Sequence, residues 1–393
     1  MADDLGYECL SCNGSTSYRT PVLDKLADTG MRFQHCYSTP LCTPSRVQLM
    51  SGQYNFRNYI GFGTMDPKIT TFAHILRSAG YATCVVGKWQ LAGRARGNGT
   101  YPKKAGFDEH CLWQVDRRES RYWNPLIRQN EKYRSDLEDR YGPDVFCEYI
   151  NDFIERHQNE RFFIYYPMAL THAPFIPTPD STGNDARDKD DKKYFADMVA
   201  YMDKIIGRIV AKLDKLGLQE NTLILFTGDN GTGGKIISQM GSRKIRGGKG
   251  TTTDAGTHVP LIANWKGVIP AARVCDELID FTDFLPTLAE VAGAEILKRI
   301  KIDGRSFLPQ LLGKPGKPRE WVFTHFDHKR LIRYVHDKRW KLYHDARLFD
   351  LNADRSEKKP LKPSTDTLEA AVARKRLQSV LDAMEKESPI RRK

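Results

Sequence analysis

Cys42, Pro44 and Arg46 alternate in the stretch Cys42-Thr43-Pro44-Ser45-Arg46, and their types point to chemistry on an anion. Thr43 suits a helix N-cap, and Pro44 suits the first helical position, where no backbone N–H is needed. Val47 to Met50 continues the helix and Gly52 ends it. The thiol of Cys42 is thereby expected at the mouth of a helix N-terminus, where unpaired N–H groups and the positive dipole end favour negative charge. Arg46, one turn on, is expected to add a bidentate contact to the same anion. Read alone, the segment also fits a buried structural cysteine before a capped helix. Its company along the chain decides.

Asp3 and Asp4 are adjacent carboxylates, which repel unless a cation lies between them, and oxygen-only donors favour Ca²⁺ or Mg²⁺ over zinc. Lys88 and Gln90 lie just past the predicted strand Tyr81–Val86, at the end where open α/β sheets place ligands. His172 follows the predicted strand Arg161–Tyr166, and Asp229-Asn230 follows Thr222–Phe226. Arg246–Thr251 is glycine-rich enough to bring backbone close to an anion and presents Lys249, without the spacing of an ATP-binding loop.

The elements that must position these groups alternate. An amphipathic helix runs from Pro21 to Ala27, a strand from Met31 to Tyr37, helices from Thr70 to Ala79 and Pro143 to His157, and a long helix from Lys193 to Leu216. His258–Ala263 reads as a strand, and Asp283–Ala289 as a helix ended by Gly293. This order predicts an α/β fold. Residues 93–142 are polar and weakly periodic, and 180–193 form a charged connection expected to be mobile. A smaller unit is expected to start near residue 316, dividing the chain into 1–315 and 316–393. It reads as short antiparallel strands at Trp321–Phe326, Leu331–His336 and Arg339–His344, then Leu348–Leu351, and a basic helix from Thr367 to Met384.

These stretches, in this order and over nearly the whole chain, resemble the type I sulfatases. The resemblance implies an alkaline-phosphatase-like α/β sandwich, its mixed, mostly parallel central sheet covered by helices, with a smaller C-terminal antiparallel sheet and helix. It implies that a formylglycine-generating maturation enzyme oxidises Cys42 to formylglycine, a hydrated aldehyde that acts as nucleophile. Asp3, Asp4, Asp229, Asn230 and the modified residue 42 would then hold Ca²⁺, with Mg²⁺ as the alternative. Lys88 would contact sulfate and nucleophile, Lys249 the sulfate, and His172 the leaving-group oxygen as its proton donor. Asp303–Leu308 resembles the family stretch that precedes the smaller domain. The implied reaction is hydrolysis of a sulfate monoester on a sulfated carbohydrate. One hydroxyl of the aldehyde hydrate attacks sulfur in line, and deprotonation of the second expels sulfate. Gln90 departs from the pattern, since the family usually carries His there. Two other readings stay open: a phosphomonoesterase or phosphodiesterase of the same fold, and a non-catalytic binder of sulfated glycans. Cys42 in place of Ser or Thr disfavours the first; Gln90 favours the second. Specificity is expected in loops 53–65, 116–124 and 325–330.

The bulk composition agrees with a globular enzyme. At 393 residues, 40% hydrophobic and 28% charged, the chain is long enough for a large core. No run of eighteen apolar residues is present, so no membrane-spanning helix is expected. A net charge of +12 suits an anionic partner, and no nucleic-acid-binding signature accompanies it. Its tightest clusters are Arg374–Arg376 and Arg391–Lys393. Of the eight cysteines, Cys9 and Cys12 form a lone CxxC without a second pair, so zinc is not expected. The chain opens Met1-Ala2-Asp3-Asp4 with no signal peptide. Two residues are too few for the strand that Asp3 and Asp4 would end. The expectation is a gap in the sheet, a fraying terminus, and a natural start upstream that supplies an apolar strand and an export signal to the periplasm or exterior. A genuine start at Met1 would imply a cytoplasmic protein.

Overall fold

The computed structural model describes residues 1–93, 99–183 and 186–388. The basic cluster Arg391–Lys393 and part of the connection 180–193 lie outside them. Along the chain the main strands are β1 (Met31–Tyr37), β2 (Ala82–Lys88), β3 (Glu109–Trp113), β4 (Ile127–Gln129), β5 (Lys132–Tyr133), β6 (Phe162–Tyr165), β7 (Ile224–Thr227), β8 (His258–Asn264) and β9 (Arg273–Asp280). The helices over them are α1 (Pro21–Asp28), α2 (Cys42–Ser51), α3 (Phe72–Ser78), α4 (Gly142–Arg156), α5 (Phe195–Lys215) and α6 (Phe284–Ala292). Strand β9 escaped the sequence reading. Its first half is exposed and charged, so no apolar run marks it.

Two sheets form the centre. One has the order β5-β4-β3-β2-β6, with β2 parallel to β3 and β6 and an antiparallel edge at β4 and β5. The other has the order β9-β1-β8-β7, with β8 antiparallel to both β1 and β7 and β9 parallel to β1. The sheet is therefore mixed, as anticipated. Strand side chains alternate between two cores. Cys84 and Val86 of β2, Cys111 and Trp113 of β3, and Ile262 of β8 pack with α1, α4 and α5 on one face. Val85, Leu112, Leu261 and Ala263 pack with α2, α3 and α6 on the other. Each fully buried large apolar side chain contributes roughly 1.5–3 kcal/mol, so both faces are needed to hold the strand ends in place.

Between the edges of β6 and β7 lies a cavity of about 640 Å³, lined by apolar residues such as Leu49, Ile206, Phe226 and Leu288. The expected fraying of the terminus is not observed. Residues 1–3 are stitched between the two edges: the Met1 ammonium donates to Tyr166 O (2.8 Å), Ala2 N–H to Thr227 O (2.8 Å) and Asp3 N–H to Leu170 O (2.8 Å). Met168 N–H donates back to Met1 O at 2.8 Å and Asp229 N–H to Ala2 O at 2.9 Å. Backbone bonding on both flanks holds the aspartates as a central strand would.

A third, antiparallel sheet follows, from β10 (Val322–Asp327), β11 (Leu331–His336), β12 (Trp340–Tyr343) and β13 (Leu348–Asp350). Helix α7 (Leu368–Glu387) is N-capped by Thr367, which accepts from Ala370 N–H. It packs Ala370, Ala373, Leu377 and Leu381 against Phe323, Val335 and Leu342. This matches the small C-terminal sheet and helix expected there. No helix among the described residues is long and apolar enough to cross a membrane.

Candidate active site

The predicted residues meet at the C-terminal ends of β2, β6 and β7. Helix α2 begins at Cys42 itself, with Leu41 as N-cap and no side-chain cap. Thr43 does not cap it. Its Oγ1 instead accepts from Gly63 N–H (3.1 Å), tying the short hairpin Tyr59–Met65 to the helix start. Every residue of α2 is buried, and Gly52 ends it in the left-handed region as the sequence implied. The Cys42 thiol is buried and donates weakly to Gln90 Oε1 at 3.5 Å. Burial pushes its pKa up, with Asp229 and Asp3 adding to the rise against Lys88 and Lys249. The unmodified residue is thus a protonated thiol, a poor nucleophile.

Lys88 is the last residue of β2, and Gly87 before it needs to be glycine. Its φ is +111°, and a Cβ there would sit 2.2 Å from Pro167 O. That close approach lets Lys88 N–H donate to Pro167 O at 2.7 Å and fixes the strand end. Lys88 Nζ donates to Asp3 Oδ2 at 2.7 Å, with both side chains at 2% exposure or less. Lys249 Nζ donates to Asp4 Oδ2 at 2.6 Å. Asp4 Oδ1 accepts from Asn230 Nδ2 (2.9 Å), and Asp4 N–H donates to Asp229 Oδ1 (2.9 Å). Asp3, Asp4, Asp229 and Asn230 therefore share one buried cluster with two ammonium groups.

Two buried acceptors in that cluster have no hydrogen-bond partner, Asp3 Oδ1 and Asn230 Oδ1. Ligand atoms of Asp3, Cys42 and Asp229 lie within 4.8 Å of one another, as do those of Asp3, Asp4 and His172. Burial would raise the Asp3 carboxyl, yet Lys88, His172 and Lys249 hold it below the usual range. Burial and the neighbouring charge of Asp3 push Asp229 well above it. Crowded acids with orphaned oxygens fit a hard divalent cation of the Ca²⁺ or Mg²⁺ kind. The soft sulfur of Cys42 does not suit such an ion, whereas an oxygen at its place would.

One sequence expectation needs correction, and two take a more particular form. Arg46 is fully buried, Nη1 donates to Trp89 O at 2.7 Å and Nη2 to Lys88 O, so both arms of the fork grip backbone, while Nε has no hydrogen-bond partner. The glycines before Lys249 do not cradle an anion. Gly247, Gly248 and Lys249 N–H donate to the carbonyls of Ile236, Ala255 and Thr232. Side chains at Gly247 and Gly248 would strike backbone at 2.4 and 2.6 Å, so the glycines serve chain packing beneath the lysine. His172 is oriented by a backbone bond. Its Nδ1 donates to Ala173 O (2.6 Å), which leaves Nε2 as the site-facing atom, 3.6 Å from Asp4 Oδ2. Burial pushes the ring down to about 4, against the pull of Asp3 and Asp4, so the free ring is neutral at pH 7.

Gln90 stands where the sequence put it, beside Cys42, in the left-handed region (φ 54°) with its N–H on Gln114 O at 2.9 Å. Two residues to which the sequence reading gave no individual role also join the site. Tyr122 OH donates to the carbonyls of Ala169 (2.9 Å) and His172 (2.5 Å), pinning the turn that carries the histidine. Arg121 Nη1 lies 3.6 Å from Asp3 Oδ2. Both belong to the 116–124 loop marked for specificity, but nothing in its sequence singled out these two. All eight cysteines are free.

Comparison with known proteins identifies relatives of this chain. The Sulfatase family model matches residues 1–294. N-acetylgalactosamine-6-sulfatase of Canis lupus familiaris is 32% identical over 351 residues, covering 80% of this chain and 65% of the relative. Arylsulfatase A of Homo sapiens is 31% identical over 373 residues, covering 85% and 71%. Among solved structures, Ps i-CgsB in complex with a neocarrahexaose superposes with a TM-score of 0.82 at 25% identity, covering 99% of this chain and 91% of that one.

Proposed function

Because this chain belongs to the sulfatase family, and is accordingly a sulfuric ester hydrolase, we propose that it removes sulfate from a sulfated carbohydrate using an oxidised residue 42. The observation that carries the proposal is the convergence on Cys42. Gln90 touches it, the charges of Lys88 and Lys249 bear on it, and Asp3 and Asp229 lie within ligand distance. Carbohydrate is the proposed carrier because one relative is named for a galactosamine sulfate and a close structural match holds a neocarrahexaose.

Asp3, Asp4, Asp229 and Asn230 would hold a divalent cation, which when bound would supply positive charge against the sulfate oxygens. Formylglycine at position 42 would supply an oxygen nucleophile where the thiol is protonated and buried. The chain's own residues do the rest. Lys88 and Lys249 offer fixed ammonium groups to the equatorial oxygens as charge grows there. Arg46 holds Lys88 in register by gripping its carbonyl and that of the next residue, Trp89. His172 stands on the leaving-group side. The negative charge of the ester favours its imidazolium and opposes the burial that keeps the free ring neutral. Gln90 does not titrate, so it serves residue 42 as a hydrogen-bond partner and not as a base.

The test is direct. The protein, produced with a formylglycine-generating enzyme, is assayed on sulfated sugars and aryl sulfates, and the peptide containing residue 42 is weighed. Sulfate release together with an aldehyde in place of the thiol is expected. Full turnover by an unmodified thiol would overturn the nucleophile. Phosphate-ester cleavage with no sulfate release would favour the phosphoesterase reading, and tight sulfated-glycan binding without turnover the binder.

A further inference from the structure

We propose that Arg121 is a specificity residue that binds a second anionic group, a carboxylate or a further sulfate, on the saccharide that carries the scissile ester. The inference rests on the sulfatase reading and names its substrate class more closely. Arg121 follows five exposed residues, 116–120, yet is itself only 7% exposed. Its guanidinium enters the site from the loop side. The Nη1 atom is buried and has no hydrogen-bond partner. It forms an ion pair with Asp3 Oδ2 at 3.6 Å, beyond hydrogen-bond distance, and that oxygen already accepts from Lys88 at 2.7 Å. A buried guanidinium whose ion-pair partner is shared with a lysine and whose Nη1 makes no hydrogen bond is only partly satisfied, and the fold sustains it by other means.

Those means are visible. The Arg121 Cζ stacks 4.0 Å from the ring centre of Trp113, at the end of β3. The indole N–H of Trp113 donates to Glu119 O at 2.8 Å, so ring and loop are locked together. Stacking holds the face of a guanidinium and leaves its edge, with the paired N–H donors, for a planar acid. The next residue, Tyr122, grips the His172 carbonyl, and the charge of Arg121 is felt at both His172 and Asp3. Arg121 therefore lies beside both His172 and Asp3 in the site. A neutral sugar leaves the guanidinium edge unpaired, while an acidic substituent satisfies it with two charge-assisted bonds.

The experiment compares two pairs of substrates that share one sulfate ester, a disulfated against a monosulfated monosaccharide and a sulfated uronic acid against the matching neutral sugar. Wild type should prefer the acidic member, and Arg121→Gln should cut the ratio of kcat/KM within the preferred pair by about 100-fold, mainly through KM. The pair that shows the loss identifies the acid as sulfate or carboxylate. Arg121→Lys keeps the charge without the fork and should fall in between, which also serves if the glutamine variant folds poorly. An unchanged ratio in both pairs would overturn the proposal. So would a loss confined to kcat and equal for both members, which marks a general electrostatic role. Calorimetric binding of glucuronate and of the disulfated sugar to both proteins separates the two readings. Loss of binding in Arg121→Gln upholds the subsite even in a protein that cleaves no sulfate ester, and equal binding refutes it.

Discussion

Arg46 is bound to the backbone of Lys88: its Nη2 donates to the Lys88 carbonyl, while Nη1 reaches the next carbonyl, of Trp89, at 2.7 Å. Arg46 is thus a buried clamp on the backbone of Lys88, the lysine proposed to face the sulfate. Arg46→Ala would orphan two buried carbonyls at roughly 1–3 kcal/mol each, with a cavity cost in addition. Arg46→Lys can serve only one of them. Denaturant unfolding should show the lysine variant less stable by about 1–3 kcal/mol, with kcat lowered, since Lys88 loses its register. Unaltered stability with a large rise in KM would instead mark a direct substrate contact.

Metal removal should lower stability as well as activity. Asp3 and Asp229 oppose one another in the buried cluster, and Asp3 Oδ1 and Asn230 Oδ1 lack partners. A cation bound only by the folded chain adds about 2.7 kcal/mol when present at 100 times its Kd. Thermal unfolding in chelator, and again with added Ca²⁺, should show a fall and a recovery. A melting temperature indifferent to both, in enzyme shown to be metal-free and active, would count against the site.

Gln90→His should change the pH–rate profile. Gln90 Oε1 lies 3.5 Å from Cys42 Sγ, so an imidazole there would titrate beside the nucleophile where the glutamine amide cannot. An additional limb between about pH 5 and 8 is expected on ordinary histidine values. A superimposable profile at unchanged rate would show that position 90 does not act on residue 42.

Acid should destabilise the fold well above the carboxylate range. His110 is buried on β3, both ring nitrogens lack partners, and burial pushes its pKa down to about 4. Below an unfolded value near 6.5 the unfolded chain takes up a proton that the folded one refuses. Stability is thus unaffected by this group above pH 6.5 and falls as pH drops toward 4. His110→Phe should flatten that part of the stability curve. An equal slope in wild type and variant would place the effect elsewhere.

Much of the site was legible in sequence because it is built from strand ends and short-range signals. Lys88, His172, Asp229 and Asn230 each close or follow a predicted strand, and an α/β sheet gathers such ends on one edge. Gly52 and Gly293 end helices in the left-handed region, as their position in the apolar pattern implies. What tertiary structure alone decided depends on partners distant along the chain. Arg46 meets a carbonyl 42 residues away, and the glycines at 247 and 248 are demanded by backbone from 232–233 and 255. Arg121 acquires meaning only from Trp113 beneath it and Asp3 beside it. The neutral ring of His172 follows from burial, which no local pattern records. Residue type determines what a group can do. The direction in which it points, and the charge it carries there, are set by contacts that exist only once the sheet has closed around it.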